Sequence, residues 1–314
     1  MTESLSIVTT LYRSAEFINA FYERATRAAS ALTADYEIVF VNDGSSDESL
    51  ARAVVLYERD EHVRVVDLSR NFGHHKAMMT GLAHARGDLV FLIDVDLEDE
   101  PEWLSRFHET MTRTKADVVY GVQEARKGRL FERISGAIFY KTFNALVDHP
   151  IPENLVTARL MTRRYVENLV RHRDREFTIA ALWVITGFSQ VAMPVHKRTR
   201  SGPAAYTFGH RFAVFVNAVT SYSNKPLVYI FYLGCLIIAM SALYGGVLVW
   251  DATHGGVGVP GWASLIVSIW FLGGVMIFCL GLIGVYLAKV FTETKERPYT
   301  VIRAEYDRSK ESRL

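Results

Sequence analysis

The sequence contains very little cysteine: Cys235 and Cys279 are the only two in 314 residues. Both lie in apolar stretches, so they provide neither a disulfide framework nor a zinc-ligand spacing. The sequence also lacks an excess of either charge, with 35 basic and 34 acidic side chains. A chain without a net positive field has no electrostatic basis for binding nucleic acid. These absences exclude disulfide-rich, zinc-stabilised and nucleic-acid-binding classes.

Several catalytic and targeting signals are absent as well. The chain has no G-x-x-x-x-G-K phosphate loop, no internal repeat and no recognisable Ser-His-Asp arrangement. Its first residues, Met1-Thr2-Glu3-Ser4, form no basic stretch ahead of an apolar run, so we expect no signal peptide. We therefore expect the first two thirds of the chain to stay in the cytoplasm.

Two long runs without a charged residue stand out in the last third, at residues 227–250 and 263–288. Each exceeds the roughly 20 residues that a helix needs to cross a bilayer, which predicts a two-helix transmembrane hairpin. The connection between the runs has no Lys or Arg, whereas Lys225 and Lys289 flank them. By the positive-inside rule, both outer ends face the cytoplasm. Since no charge lies inside either run, an ion path is not expected.

The first two thirds alternate between short apolar runs and helical periodicities. The predicted strands are residues 5–11, 36–41, 63–68, 89–93 and 117–122, and amphipathic helices separate them. This alternation predicts an α/β fold with a doubly wound, mostly parallel sheet. In such sheets, ligands bind at the carboxyl ends of the strands.

Acidic residues follow two of these strands. Asp43 comes after the second strand, where it either stabilises a turn or faces a bound nucleotide. Asp94, Asp96 and Glu98 follow the fourth strand directly. Crowded carboxylates repel one another and favour a cation, and Mg²⁺ or Mn²⁺ suits such oxygen ligands. The alternative is a solvated acidic loop.

Five motifs then occur in a recognisable order. They are S-I-V-T-T-L-Y from Ser6, Y-E-I-V-F-V-N-D-G-S-S-D from Tyr36, L-S-R-N-F-G from Leu68, G-L-A-H-A-R-G-D from Gly81 and D-V-D-L-E-D-E-P-E from Asp94. In this order the chain resembles the family 2 glycosyltransferases. The S-R-N-F-G motif and the paired apolar runs resemble the polyprenyl-phosphate branch, which includes dolichyl-phosphate mannose synthase and its bacterial relatives.

The resemblance implies a GT-A nucleotide-sugar-binding domain and a metal-dependent hexosyl transfer that inverts the anomeric carbon. It assigns the nucleotide-sugar site to Thr10, Tyr12, Asp43, Ser69, Arg70, Asn71 and Asp94. It assigns the metal to Asp94, Asp96 and Glu98, and catalysis to Asp94, Asp96 and Arg159. The acceptor phosphate would contact Arg126, Arg129, Lys197, Arg198, Arg200 and Tyr206.

The chain also departs from the family pattern. Asn42 replaces an acid in the usual D-D-G-S, and the first motif lacks the usual P-x-Y-N-E. Thr157 stands where relatives often have an Asp that has been regarded as a catalytic base, although Arg159 matches. A phosphate monoester, whose second pKa is about 6, is already anionic at neutral pH and needs positioning more than proton removal. Asp96, Asp148 and Glu153 remain alternative bases.

We therefore predict a cytoplasmic GT-A domain at residues 1–200, an interfacial helix and linker at 201–226, two transmembrane helices within 227–291, and a cytoplasmic tail at 292–314. The predicted reaction moves a sugar from a UDP- or GDP-linked donor to an undecaprenyl-type phosphate at the bacterial inner membrane. The alternatives are transfer to a lipid-linked saccharide, or a catalytically inactive nucleotide-sugar-binding protein. A homo-oligomer is compatible with the sequence, which leaves the oligomeric state open.

Overall fold

The computed structural model describes residues 3–123, 152, 154–197, 219–220, 223–254 and 261–311. These residues divide into two compact units. The first unit comprises the described residues up to 197 together with 297–311. The second comprises those between 219 and 296. The predicted interfacial segment at residues 201–226 lies mostly outside the described residues.

The first unit is built on an eight-stranded sheet with the order β7-β5-β6-β4-β1-β2-β3-β8. The strands are β1 Leu5–Leu11, β2 Tyr36–Asn42, β3 Val63–Leu68, β4 Leu89–Leu92, β5 Val118–Gln123, β6 Leu155–Thr162, β7 Gln190–Val195 and β8 Ile302–Tyr306. Strands β1 to β4 are mutually parallel, whereas β6 and β8 run antiparallel to their neighbours. The prediction of a mostly parallel sheet is confirmed.

Helices cover both faces of this sheet. They are α1 Ile18–Ser30, α2 Ser49–Arg59, α3 His74–His84, α4 Trp103–Thr114, α5 Arg163–Leu169, α6 Ile179–Ile185 and the short α9 Arg308–Glu311. Side chains of α1, α2 and α4 pack in one hydrophobic core, and those of α3, α5 and α6 in another. The sheet is therefore doubly wound, as predicted.

The central strand β1 shows why the sheet forms. Ile7 and Val8 are both fully buried, Ile7 in one core and Val8 in the other. Successive side chains of a strand point to opposite faces, so a continuous apolar run fits a sheet that is covered on both sides. Each such side chain contributes about 1.5–3 kcal/mol on burial.

Strand β8 extends the sheet from a distant part of the sequence. Ile302–Tyr306 pairs antiparallel with β3, from Val65 opposite Tyr306 to Leu68 opposite Ile302. The sequence predicts a plain tail at residues 292–314. The structure instead pairs part of this tail with β3 and so covers the edge of this strand, which would otherwise expose unpaired backbone groups.

The second unit contains the two long apolar helices, α7 Lys225–Thr253 and α8 Trp262–Thr294. Both are long and apolar enough to cross a membrane. Large side chains such as Phe231 and Trp270 are exposed, by 66% and 78%. Both helices extend beyond the predicted spans of residues 227–250 and 263–288. Exposed apolar surface of this extent marks a site of contact with another apolar phase.

Candidate active site

The predicted donor residues lie at one edge of the sheet. Thr10 is near the end of β1, Asp43 directly follows β2, and Asp94 follows β4 by two residues. Because β1, β2 and β4 are parallel, their carboxyl ends meet at the same edge. The topology therefore brings these three residues together, as the sequence predicts.

Asp43 organises the loop of residues 69–73, which we call the donor loop. Its side chain is buried, and its two carboxylate oxygens accept hydrogen bonds from the backbone N–H groups of Phe72 (2.7 Å) and Gly73 (3.0 Å). Charge-assisted bonds of this kind are stronger than bonds between neutral groups. Asp43 therefore fixes the backbone of the donor loop, and its predicted contact with a nucleotide stays a prediction.

Gly44, the residue after Asp43, also contacts the donor loop. Its φ of +61° is in the left-handed region that favours glycine. A Cβ built on Gly44 would collide with the backbone of Arg70 and Asn71. The glycine in N-D-G-S is therefore required both for its conformation and for this close approach.

The remaining predicted donor residues are exposed at this edge. Ser69, Arg70 and Asn71 are solvent-exposed, and the Arg70 guanidinium carbon lies 4.0 Å from the centre of the Phe72 ring. Tyr12 is 46% exposed, and the guanidinium of Arg13 lies near its ring. These groups are accessible to a ligand, and the stacked Arg70 keeps its charge at the surface.

His74, at the start of α3, connects two predicted site residues. Its Nδ1 lies 3.0 Å from the Thr10 hydroxyl, and its Nε2 lies 3.3 Å from Asp94 Oδ1. Because His74 is at a helix start and has no carboxylate at metal-ligand spacing in the sequence, it is expected to be structural or donor-proximal and not a zinc ligand, with no partner assigned. The signal available was its position directly after the S-R-N-F-G motif, at the first turn of the helix that follows the donor loop.

Asp94 remains charged despite its surroundings. Burial by itself raises the pKa of Asp94, but the neighbouring His74, the Thr157 hydroxyl and the charge of Lys197 outweigh that effect and lower it below its ordinary value. Asp96 behaves in the opposite way. Burial raises the pKa of Asp96, and the charges of Asp94 and Glu98 raise it further. The charged form of Asp96 is therefore disfavoured by burial and by its carboxylate neighbours.

Lys197 partly compensates the acidic cluster, which we define as Asp94, Asp96, Glu98 and Asp99. Its Nζ lies 3.1 Å from Glu98 Oε2 and 3.7 Å from Asp99 Oδ1. Burial lowers the pKa of Lys197, but the carboxylates of Asp99 and Glu98 outweigh burial and raise it. The sequence assigns Lys197 to the acceptor phosphate. The structure places it beside the predicted metal residues instead, so that prediction remains untested.

Asp99 is a member of the cluster that the sequence analysis does not single out. It is fully buried, and burial raises the pKa of Asp99 to about 6. One oxygen accepts the backbone N–H of Ala158 at 3.2 Å, which ties the acidic loop to β6. Asp99 lies outside the D-x-D-x-E pattern that precedes it. Its contact with β6 joins residues 59 positions apart, so the local sequence does not reveal it.

Arg159 lies inside the core, only 1% exposed. Its guanidinium carbon is 2.9 Å from the centre of the Trp183 ring, and Nε donates to the carbonyl oxygen of Thr157 at 3.4 Å. Burial lowers the pKa of Arg159 to about 9. Among the described residues, its Nη2 and the indole Nε1 of Trp183 have no hydrogen-bond partner. The structure thus places the Arg159 guanidinium against Trp183 in the core, and its predicted catalytic role stays a prediction.

A divalent metal suits the chemistry of the acidic cluster. Within the described ranges, no three His, Cys, Asp or Glu side chains form a ready-made metal site. Burial first, and then the carboxylates of Asp94 and Glu98, raise the pKa of Asp96, and a bound cation would relieve the repulsion among these carboxylates. Oxygen ligands of this type prefer Mg²⁺ or Mn²⁺. Asp94 and Asp96 therefore fit such an ion, whereas Glu98 is already paired with Lys197.

Most of the predicted acceptor residues cannot be placed. Arg126, Arg129, Arg198, Arg200 and Tyr206 lie outside the described residues. The same holds for Asp148 and Glu153, two of the three alternative bases. The described part of the site therefore comprises the donor loop, the acidic cluster and the adjoining end of β6.

Comparison with known proteins agrees with this geometry. Residues 6–170 match the model of glycosyl transferase family 2. A Mycobacterium tuberculosis protein described as a glycosyltransferase is 54% identical over 96% of this chain and 88% of its own length. The bactoprenol glucosyl transferase of Shigella phage SfV is 33% identical over 96% of this chain and 98% of its own.

A solved structure also resembles the chain. It is the mannosyltransferase PcManGT from Pyrobaculum calidifontis in complex with GDP-Man and Mn²⁺. The match has a TM-score of 0.47 and 15% identity, and it covers 93% of this chain and 87% of the other.

Proposed function

Because the chain belongs to glycosyl transferase family 2, we propose that it moves a sugar from a nucleotide-sugar donor to a polyprenyl phosphate, with inversion at the anomeric carbon. The observation that carries the proposal is the extent of the likeness to the phage bactoprenol glucosyl transferase. The alignment covers 96% of this chain and so includes the acidic cluster together with both apolar helices. Family membership alone would suggest only a sugar donor, whereas this relative's name indicates the acceptor.

The donor would bind at the carboxyl edge of the sheet. Tyr12 and Arg70 are exposed there and offer an aromatic ring and a cation. An aromatic ring suits the base of the nucleotide, and a guanidinium suits its phosphates. Asp43 holds the donor loop in place through Phe72 and Gly73. The binding surface is thus rigid behind its exposed side chains.

Asp94 and Asp96 would hold a Mg²⁺ or Mn²⁺ ion at the donor diphosphate. When bound, such an ion acts as a Lewis acid that stabilises the charge on the departing nucleotide diphosphate. The protein keeps Asp94 charged through His74 and Thr157. It also orients Asp94, since His74 in turn contacts Thr10. A carboxylate that is already charged and oriented needs little rearrangement when it binds the ion.

The residue at position 157 favours a phosphate acceptor over a sugar hydroxyl. A hydroxyl nucleophile requires a general base. At the position where relatives often carry an Asp, this chain has Thr157, whose hydroxyl stabilises the charge of Asp94. A phosphate monoester, with a second pKa of about 6, is already anionic and needs no base. The site therefore suits a lipid phosphate that is positioned by the protein.

The topology supports a membrane anchor with the catalytic unit on the cytoplasmic side. Strands β1 and β8 belong to one sheet, yet α7 and α8 lie between them in the sequence. Any membrane crossings between these strands must therefore be even in number, and α7 and α8 supply two. The Lys and Arg residues outside the apolar runs favour the cytoplasm for both ends.

The proposal is tested by a transfer assay on the purified full chain in detergent. Undecaprenyl phosphate is the acceptor, and an undecaprenyl-linked saccharide is the acceptor in parallel reactions. Mn²⁺ or Mg²⁺ is present, and each of a panel of radiolabelled UDP- and GDP-sugars is the donor. Asp96→Asn removes one carboxylate charge of the acidic cluster. Asp174→Asn is the matched control, because Asp174 is half exposed and its ion pair within the described residues is with His172, at 4.0 Å.

We expect metal-dependent label in the lipid fraction with one donor. Asp96→Asn should reduce it by at least roughly a hundredfold, a loss typical of removing an electrostatic group from a reaction centre, and Asp174→Asn should not. Transfer only to a lipid-linked saccharide would refute the phosphate acceptor. A chain that binds nucleotide sugar but transfers nothing would refute the enzyme proposal.

A further inference from the structure

The segment that follows α8, residues 297–307, folds back onto the donor side of the sheet. We call it the return segment. The carbonyl oxygen of Val301 accepts the backbone N–H of Ser69 at 2.9 Å, at the start of the donor loop. The hydroxyl of Thr300 lies 2.9 Å from that of Thr80 on α3. The return segment is thus in direct contact with the elements that carry the donor site.

A chain of hydrogen bonds continues from this segment into the site. Nε of Arg303 on β8 donates to Asp67 Oδ2 at 2.7 Å. The other oxygen of Asp67 accepts from Asn42 Nδ2 at 2.8 Å. The amide oxygen of Asn42 accepts the backbone N–H of Ser45 at 3.3 Å. The three side chains connect β8 to the turn that contains Asp43 and Gly44.

The charges along this chain explain why Arg303 is needed. Asp67 and Asn42 are buried, at 1% and 0% exposure. A buried carboxylate without a cation is strongly unfavourable. Arg303 is the cation in ion-pair contact with Asp67 in the described part of the chain. Asn42, which replaces the acid of the family pattern, donates to Asp67, whereas a second carboxylate there would repel it.

We propose that donor binding requires the return segment, with Arg303 as a positioning residue. Arg303 acts through Asp67 and Asn42 on the turn at residues 43–45, and Val301 acts on the donor loop through Ser69. The inference rests on the proposed function, because it takes this edge as the nucleotide site. It follows that the chain binds its donor only after α8 is complete and residues 297–307 have paired with β3.

The experiment compares nucleotide affinity among variants of the full chain in detergent. UDP and GDP, each with Mn²⁺, are titrated by calorimetry. Arg303→Met removes the cation, and Arg303→Lys retains a charge. Arg308→Met is the matched control. Arg308 lies just beyond the return segment but donates to the carbonyl oxygens of Tyr57 and Glu58 at the end of α2, away from the donor loop.

Arg303→Met should raise the Kd of the bound nucleotide roughly tenfold, the effect of losing a hydrogen bond to a charged group. Arg308→Met should leave it within about twofold, as for an ordinary surface change. Arg303→Lys should recover most of the affinity. Arg303→Met combined with Asp67→Asn should also recover it, because the buried charge is then removed with its partner.

Thermal unfolding of each variant separates positioning from general loss of stability. Equal nucleotide affinity in Arg303→Met and the wild type would overturn the inference. So would an equal loss in Arg303→Met and Arg308→Met. A wild-type chain that binds neither UDP nor GDP would refute the donor site itself, and the inference with it.

Discussion

Thr157 shows how one side chain can alter the demands of a reaction centre. It lies on β6, and its hydroxyl lowers the pKa of Asp94 together with His74. The resemblance places an acid here in many relatives. An acid at position 157 would instead add a carboxylate beside Asp94 and raise its pKa through like-charge repulsion. At this position the chain therefore supports the charge of Asp94, a predicted metal residue, and supplies no base.

This account predicts the effect of removing the hydroxyl alone. Thr157→Val, which is close in shape, should lower kcat for lipid transfer roughly tenfold, because Asp94 loses a hydrogen-bonding neighbour of its charged form. Thr157→Ser should retain activity close to that of the wild type. The measurement is steady-state transfer to undecaprenyl phosphate. Equal activity of the Val and Ser variants would contradict the role given to the hydroxyl.

At the residue scale, the sequence indicated that Thr10, Asp43 and Asp94 lie at one edge of the sheet, and their roles in donor binding stay predictions. Asp94 and Asp96 were recognisable because they directly follow a buried strand. The contacts of His74, Asp99 and Trp183 were not recognisable, since each joins residues that are far apart in the sequence. The contact between Asp99 and Ala158, for example, depends on the register of β4 against β6, which local patterns do not reveal.

The turn after β2 is the element that fixes the donor loop. Gly44 has a φ of +61° and packs against the backbone of Arg70. Gly187 offers a useful comparison, because its φ is +74° but its added Cβ would meet nothing within 4 Å. Both glycines adopt a backbone conformation that would strain any other residue. Only Gly44 also lacks room for a Cβ atom.

Gly44→Ala should therefore be more harmful than Gly187→Ala. We expect Gly187→Ala to cost about 1–2 kcal/mol of folding stability from backbone strain alone. Gly44→Ala should cost more and should also weaken nucleotide binding, because the donor loop must move. Thermal unfolding and nucleotide titration measure the two effects. Equal losses in the two variants, with unchanged nucleotide affinity, would show that the close approach to Arg70 is unimportant.

At the element scale, strands β1 to β5 were predictable because each is an apolar run between helical periodicities. Strand β8 was not. It has five residues, follows a long apolar helix, and none of the five is fully buried, so it lacks the alternation of a half-buried strand. Its partner β3 lies more than 200 residues earlier, so pairing becomes visible only when the sheet is formed. Because this pairing is not visible in the local sequence, the sequence predicts only a tail at residues 292–314.

At the scale of the whole molecule, an ion network attaches the end of the chain to the first unit. Asp307 lies 3.1 Å from Arg64 and 2.5 Å from Arg86. Arg64 also contacts Glu37 at 2.7 Å. Burial raises the pKa of Asp307, but hydrogen bonds from Ser309 and the charges of both arginines lower it below the ordinary value of 3.8. The charged form of Asp307 therefore stabilises the fold.

The sign of the pH dependence follows from that shift. Since the folded-state pKa of Asp307 is depressed, its contribution is complete at neutral pH and is lost as the pH falls below 3.8 toward the folded value. Asp307→Asn should lower stability at pH 7 by about 1–3 kcal/mol. The variant should also show a smaller drop in unfolding temperature than the wild type when the pH is lowered from 6 to below 3.8. An unchanged acid profile would contradict this attribution.

The central claim concerns where the sugar is attached, and mass spectrometry of the lipid product tests it most directly. The purified chain is incubated with undecaprenyl phosphate, Mn²⁺ and the nucleotide sugar that transfers label. The account predicts a lipid whose mass equals that of the acceptor plus one sugar residue, with the sugar linked through the phosphate. An unchanged acceptor, or a sugar attached to another saccharide instead of to the phosphate, would contradict it.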